Sequence, residues 1–174
     1  MGTIVMAEKP LIVVEATDPT ISIMVNVLNA SFNTLTPEEK KDFLDLYDPG
    51  PEHDKSLELY VNLQTELTQE EAKMVRIFQI NGVKVGGYGS TEPIMMSAVY
   101  KTLSRLNHSC YPNVVWEKRA SFCLEVRVCR TIEKGDELVT TYIGREKLFR
   151  TREERRNPGV LSAAARYAPR RGKS

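Results

Sequence analysis

Cysteine is scarce in this 174-residue chain: there are three, Cys110, Cys123 and Cys129, and no Cys-x-x-Cys pair. An odd, widely spaced set argues against a disulfide framework and for free thiols in a reducing compartment. Long apolar runs are lacking as well. No stretch of about 18 or more apolar residues occurs, so no segment reads as a membrane-spanning helix and no membrane partner is expected. From Met1 to Val14 there is no basic region, apolar core and small-residue cleavage site in succession, so no secretory signal is expected. Net charge is close to nil at +1, which argues against strong, direct binding to nucleic acid. No internal repeat is visible.

What is present is ordinary for a soluble globular protein: 41% hydrophobic and 27% charged residues. The length suits one domain with a tail, and such a chain buries roughly 70% of its unfolded surface. Charge is unevenly placed. From Arg145 to Ser174 there are ten Lys or Arg against three Asp or Glu, while the preceding residues hold fourteen against twenty. An acidic body suits a lysine-rich peptide, and a basic tail without apolar periodicity reads as disordered.

Local patterns divide the chain further. Ile4-Val5-Met6 and Leu11 to Val14 read as strands broken at Pro10. Ile21, Met24, Val25 and Leu28 recur at helical spacing. Thr36-Pro37-Glu38-Glu39 and Thr68-Gln69-Glu70-Glu71 are capping boxes, each opening a helix. Phe43, Leu44 and Tyr47 are expected to form the buried stripe of the first, and Ala72, Val75, Ile77 and Phe78 that of the second. Asp48-Pro49-Gly50-Pro51 ends a helix. Gly82 to Gly89 reads as a loop with a short strand, and Pro93 to Leu106 as a short helix or turn system. Val114-Val115-Trp116 and Phe122 to Val128 form a hairpin around a charged turn. Phe122, Leu124, Val126 and Val128 share one face of it. Glu133 to Asp136 is a turn, and Leu138 to Ile143 a last strand. Arg145 to Arg156 has the composition of a charged helix.

Two segments carry the chemistry. The first is Asn107-His108-Ser109-Cys110-Tyr111-Pro112-Asn113, a loop dense in amides with an imidazole and a thiol. The second is Gly135-Asp136-Glu137-Leu138-Val139-Thr140-Thr141-Tyr142. Joined by a strand-rich stretch, they resemble the SET-domain protein methyltransferases, which use S-adenosyl-L-methionine. The similarity is closest to the split-SET branch, as in SET–MYND-type and fungal proteins, in which a helical insert interrupts the domain. The resemblance implies an α+β, mainly β fold of short antiparallel sheets (the β-clip) around a threaded C-terminal segment. The domain would cover residues 1–156, with the insert at about 20–80 and a basic tail at 157–174.

The resemblance also implies roles. Asn107 would bond the cofactor's amino-acid end, and His108 would meet its adenine largely through backbone. A polar loop suits this because regular structure has already used its backbone hydrogen bonds. Tyr142 would be the catalytic residue, orienting a lysine amine for in-line methyl transfer. Asn81, at the end of Phe78-Gln79-Ile80-Asn81, either helps hold the cofactor or caps its helix before Gly82. Glu137 reads as structural. In the SET–MYND branch the cysteine of the loop joins a downstream cluster on zinc, which needs four ligands. No cysteine follows Tyr142 here, so no metal is expected and Cys110 reads as a free thiol.

Two parts of the family pattern are not found. The opening Gly-x-Gly turn would lie upstream of Met1, because Gly2 to Pro10 resembles the second strand of the fold. The cysteine-rich segment after the domain is missing too. The reading is a protein-lysine N-methyltransferase acting on a protein substrate with a target lysine, cytoplasmic or nuclear and not secreted. The alternatives are a non-catalytic SET-like interaction module that has lost cofactor binding, and a small zinc-binding adaptor.

Overall fold

A computed structural model describes residues 2–16, 21–51, 67–86, 95–143 and 151. The proposed charged helix at 145–156 and the tail at 157–174 lie outside these apart from Thr151, as does the end of the glycine-rich loop at 87–89. The chain divides into two units, residues 9–105 and residues 1–8 with 106 onward.

Among its described residues, the 9–105 unit packs three helices with a three-stranded antiparallel sheet. Helix α1 is Ile21–Thr34, α2 is Pro37–Leu44 and α3 is Gln69–Asn81. Both capping boxes form. The Thr36 hydroxyl accepts the Glu39 N–H, while the Glu39 carboxylate accepts the Thr36 N–H at 2.8 Å. Thr68 and Glu71 repeat the arrangement, and Asn29 on α1 donates to Glu71 at 2.9 Å. Val25 and Leu28 of α1, Phe43 of α2, and Val75, Ile77 and Phe78 of α3 close on Ile12, Val14 and Val99 as one core.

The stripe expected on α2 is corrected in part. Phe43 is fully buried, but Leu44 and Tyr47 are exposed and Leu46 is buried instead. The helix stops at Leu44, and the N–H of Leu46 turns back to the Phe43 carbonyl at 3.1 Å. That turn takes the chain out of helical phase, so a position two residues past the end points inward.

Strand β2 (Ile12–Ala16) pairs with β4 (Met95–Val99), which pairs on its other side with β3 (Val83–Lys84). Within the turn system expected over Pro93 to Leu106, Met95–Val99 is instead the central strand of this sheet. Ala98 and Val99 are fully buried. A short apolar run covered on both sides shows no alternation, which is why periodicity does not separate it from a helix. The expected turn forms from Lys101 to Arg105, ending in one turn of 3-10 helix at Leu103–Arg105.

The other unit holds β1 (Ile4–Glu8), β6 (Val114–Lys118) and β7 (Leu124–Val128) in an antiparallel sheet ordered β1-β7-β6. It also holds a two-stranded parallel pair, β5 (Asn107–His108) with β8 (Val139–Thr140). Val114, Leu124 and Val126 are fully buried beneath the hairpin. Its other face carries an ion-pair ladder: Arg119 on Glu117 and Glu125, and Arg127 on Glu125 at 2.7 Å. Phe122 lies in the turn rather than in the strand, with φ of 59°. Gly2 runs so close to β7 that a Cβ there would collide with the Val128 carbonyl oxygen. The turn at Glu133 to Asp136 forms as expected, with Gly135 at φ of 101°.

The last strand is shorter than expected. Val139–Thr140 is strand, and Tyr142 sits in a bend just after it. Side chains capture the backbone groups that would have extended the ladder. His108 takes the Tyr142 N–H at 3.0 Å, and the Thr141 hydroxyl takes the Ile143 N–H at 3.3 Å. Short antiparallel sheets mixed with helices make this an α+β fold of the SET-like kind.

Candidate functional site

The parallel pair β5 and β8 brings the two motif segments together. Asn107 stands opposite Val139 and His108 opposite Thr140. Beyond β5, the Ser109 N–H donates to the Thr140 carbonyl at 2.8 Å. A two-residue pair is too short to fix register alone, and Asn113 supplies the rest. Its side chain is 2% exposed. Its Nδ2 donates to the Glu137 carbonyl at 2.8 Å, and its Oδ1 accepts the Val139 N–H at 2.8 Å. Its own backbone bonds the Val139 carbonyl and the Cys129 N–H. A buried amide with these partners acts as a length of strand made from a side chain.

Tyr142 is gripped at both ends by residues flanking Asn107. Its hydroxyl donates to the Leu106 carbonyl at 2.5 Å, and its backbone N–H donates to Nδ1 of His108. The two rings face each other with centroids 5.4 Å apart, tilted by 42°. Burial, helped by the negative charge of Glu137, pushes the Tyr142 phenol above its usual range. The phenol therefore keeps its proton and spends it on Leu106, so the oxygen is left as an acceptor.

Asn107 is half-buried, and its Nδ2 donates to the Glu137 carboxylate. Sequence reasoning gave Glu137 a structural part. The carboxylate is hydrogen-bonded to Asn107 and acts electrostatically on Tyr142. Leu106 escaped notice because it acts through a backbone carbonyl, which no residue type announces. Asn113 was visible as the last residue of the first motif. A polar residue between Pro112 and an apolar run is the signal that marks it.

The rim of the loop is exposed. Tyr111 is 74% exposed, and the Arg130 guanidinium lies 4.8 Å from its ring centroid while Nε donates to the Pro112 carbonyl at 3.1 Å. Cys110 is exposed, with Sγ 3.4 Å from Nε2 of His108. All three cysteines are free thiols. Among the described residues, no three His, Cys, Asp or Glu side chains converge as metal ligands. No helix among them is long and apolar enough to cross a membrane.

Asn81 belongs to the 9–105 unit and does the work of a tie there. It is the last residue of α3, and its Nδ2 donates to the carbonyls of Tyr47 and Ile77, both at 2.8 Å. Its backbone carbonyl accepts the Ser104 hydroxyl at 2.9 Å. Both side-chain N–H groups are thus committed, which leaves the side-chain oxygen as its remaining polar group.

Comparison with known proteins agrees with these features. No curated protein matches the chain. The SET domain, as a family, matches residues 2–143, a span that contains β1 to β8 and all of the residues above. Proteins of this family are typically lysine methyltransferases that use S-adenosyl-L-methionine and act on protein substrates. The chain belongs to the SET-domain family.

Proposed function

We propose that this protein is an S-adenosyl-L-methionine-dependent protein-lysine N-methyltransferase. The observation that carries the reading is the grip on Tyr142. With its proton spent on Leu106, the phenol oxygen can accept an N–H from an incoming amine and hold its lone pair in one direction. A carboxylate in the same place would pair with the ammonium form and stabilise it. A neutral phenol favours the uncharged amine that methyl transfer needs.

The polar groups present fit the cofactor's chemistry. Its amino-acid end carries both an ammonium and a carboxylate, and the Asn107 amide offers an acceptor and donors in one side chain. Glu137 adds an anionic acceptor beside Asn107, suited to a cationic ligand. His108 would contribute backbone groups. When bound, the cofactor supplies an electrophilic methyl on a sulfonium. Asn107 would hold that group in place, and Tyr142 would align the amine.

We assign the chain to the split-SET branch as part of the same reading. Among the described residues, three helices stand between β2 and β3, inside the matched span, where that branch carries its insert. The free thiols favour a cytoplasmic or nuclear setting.

The experiment is thermal unfolding with and without S-adenosyl-L-methionine. At about 100 times Kd, binding stabilises the fold by roughly 2.7 kcal/mol. No shift at millimolar cofactor overturns the reading and makes the chain a non-catalytic module. Where a shift is found, radiolabelled methyl transfer to a lysine-rich protein mixture should follow.

A further inference from the structure

The imidazole of His108 has a task distinct from any backbone contact to a cofactor. An amide N–H only donates, so the Tyr142 N–H at 3.0 Å requires a lone pair on Nδ1. A neutral imidazole with Nδ1 unprotonated carries its hydrogen on Nε2. Nε2 faces the Cys110 sulfur at 3.4 Å, which accepts that hydrogen. One tautomer therefore satisfies both neighbours. The same ring packs against the Tyr142 ring, while Leu106, two residues earlier, holds the Tyr142 hydroxyl.

We infer that His108 is a positioning residue for Tyr142, acting through its neutral Nδ1 as the fixed anchor of the Tyr142 backbone. The inference rests on the methyltransferase reading for what Tyr142 does, and on the hydrogen bond alone for how it is held. Tyr142 follows the short strand β8 in a bend, with no strand partner among the described residues to fix its peptide plane. The side-chain acceptor replaces that partner. The direction of the phenol then depends on two fixed points, one at each end of the residue.

Protonation removes the anchor. An imidazolium has a hydrogen on both nitrogens, so Nδ1–H would confront the Tyr142 N–H, donor against donor. Among the described residues, the titratable groups seen facing this position are Cys110 on the same loop and Tyr142 itself, with Glu137 acting on Tyr142 from the strand side. The site would then lose alignment as histidine titrates, while the groups proposed to hold the cofactor keep theirs.

Three variants separate this role from a purely structural one. His108→Asn puts an amide oxygen near the place of Nδ1 and does not titrate. His108→Gln sets its amide one carbon further out, and His108→Ala has no acceptor. Each is measured for kcat, cofactor KM and rate across about pH 5 to 8, the range in which histidine changes charge. The Tyr142 amide is followed in parallel by hydrogen exchange. We expect His108→Asn to keep kcat within about threefold and to lose only the part of the wild-type acid limb that is steeper than the one-proton slope set by the substrate amine, while Gln and Ala lose at least about tenfold in kcat with little change in cofactor KM. Tyr142 amide protection should fall in Ala and be kept in Asn.

An Asn variant no better than Ala overturns the inference, as does an acid limb as steep in Asn as in the wild type. So does Tyr142 amide protection indifferent to residue 108 in an active enzyme. An inactive wild type whose Tyr142 amide still depends on His108 has a different meaning: it overturns the methyl-transfer reading and leaves the anchor standing.

Discussion

Asn113 and Val139 hydrogen-bond to each other twice. The Asn113 N–H reaches the Val139 carbonyl at 3.1 Å, and the Val139 N–H reaches the Asn113 side-chain oxygen at 2.8 Å. The remaining amide hydrogen-bonding group, Nδ2, goes to the Glu137 carbonyl. Asn113→Ala leaves the Glu137 carbonyl and the Val139 N–H without these partners at a buried position. The expected destabilisation is about 2–5 kcal/mol, read from urea unfolding. Asn113→Asp keeps the acceptor for Val139 and sets an anionic oxygen against the Glu137 carbonyl, so it should also destabilise. A change below about 0.5 kcal/mol in both variants would remove Asn113 as the register pin.

Tyr142→Phe removes the phenol oxygen and keeps the ring that packs on His108. Leu106 loses one hydrogen-bond donor, so stability should fall by only about 1 kcal/mol. Methyl transfer should fall by about 100-fold, because the amine loses the group that aligns it. Cofactor binding, measured by the thermal shift, should be unchanged. Retained transfer would take Tyr142 out of its catalytic role.

Much of this was legible from residue types and spacing, and the failures have specific physical causes. Both capping boxes are visible because each motif satisfies its own backbone groups within four residues. Asn107, His108 and Tyr142 stand out because a dense polar loop and a distant tyrosine segment occur together. The strand at Met95–Val99 was hidden because burial on both sides erases alternation. Tyr142 was placed on a strand because nothing local shows that the ring of His108, 34 residues earlier, would take its N–H. Asn81 had two equal readings in the sequence, and neither shows that Tyr47, from another segment, receives its N–H.

The Asp48–Arg76 pair predicts an acid-sensitive step in stability. Arg76 Nε donates to Asp48 Oδ1 at 2.8 Å, Nη2 reaches Oδ2 at 3.2 Å, and both side chains are largely shielded. The guanidinium hydrogen bonds hold the Asp48 carboxyl below its ordinary 3.8. A depressed carboxyl contributes stability above its unfolded value, and that stability is lost as pH falls through the lower folded value. Unfolding free energy should therefore decline below about pH 4, and Asp48→Asn should flatten part of that decline. At neutral pH the same variant should cost roughly 1–3 kcal/mol, since it weakens a charge-assisted bidentate contact. An unchanged acid profile would show that the pair contributes little.

Thr140 offers the opposite kind of change. It is 3% exposed, and its hydroxyl has no hydrogen-bond partner among the described residues. Its backbone carbonyl already serves Ser109, so the hydroxyl is not needed to hold the strand pair. A buried hydroxyl without a partner costs about 1–3 kcal/mol in lost hydration. Thr140→Val replaces that hydroxyl by a methyl of similar size and leaves the backbone bonds in place. It should stabilise the protein by about 1 kcal/mol, raising Tm by roughly 2–4 °C. Thr140→Ala should do the reverse, because it removes the unpartnered group together with the methyl that fills the space. Calorimetry of the two variants separates the hydroxyl from the packing: destabilisation in both would mean that the Thr140 hydroxyl is satisfied in solution.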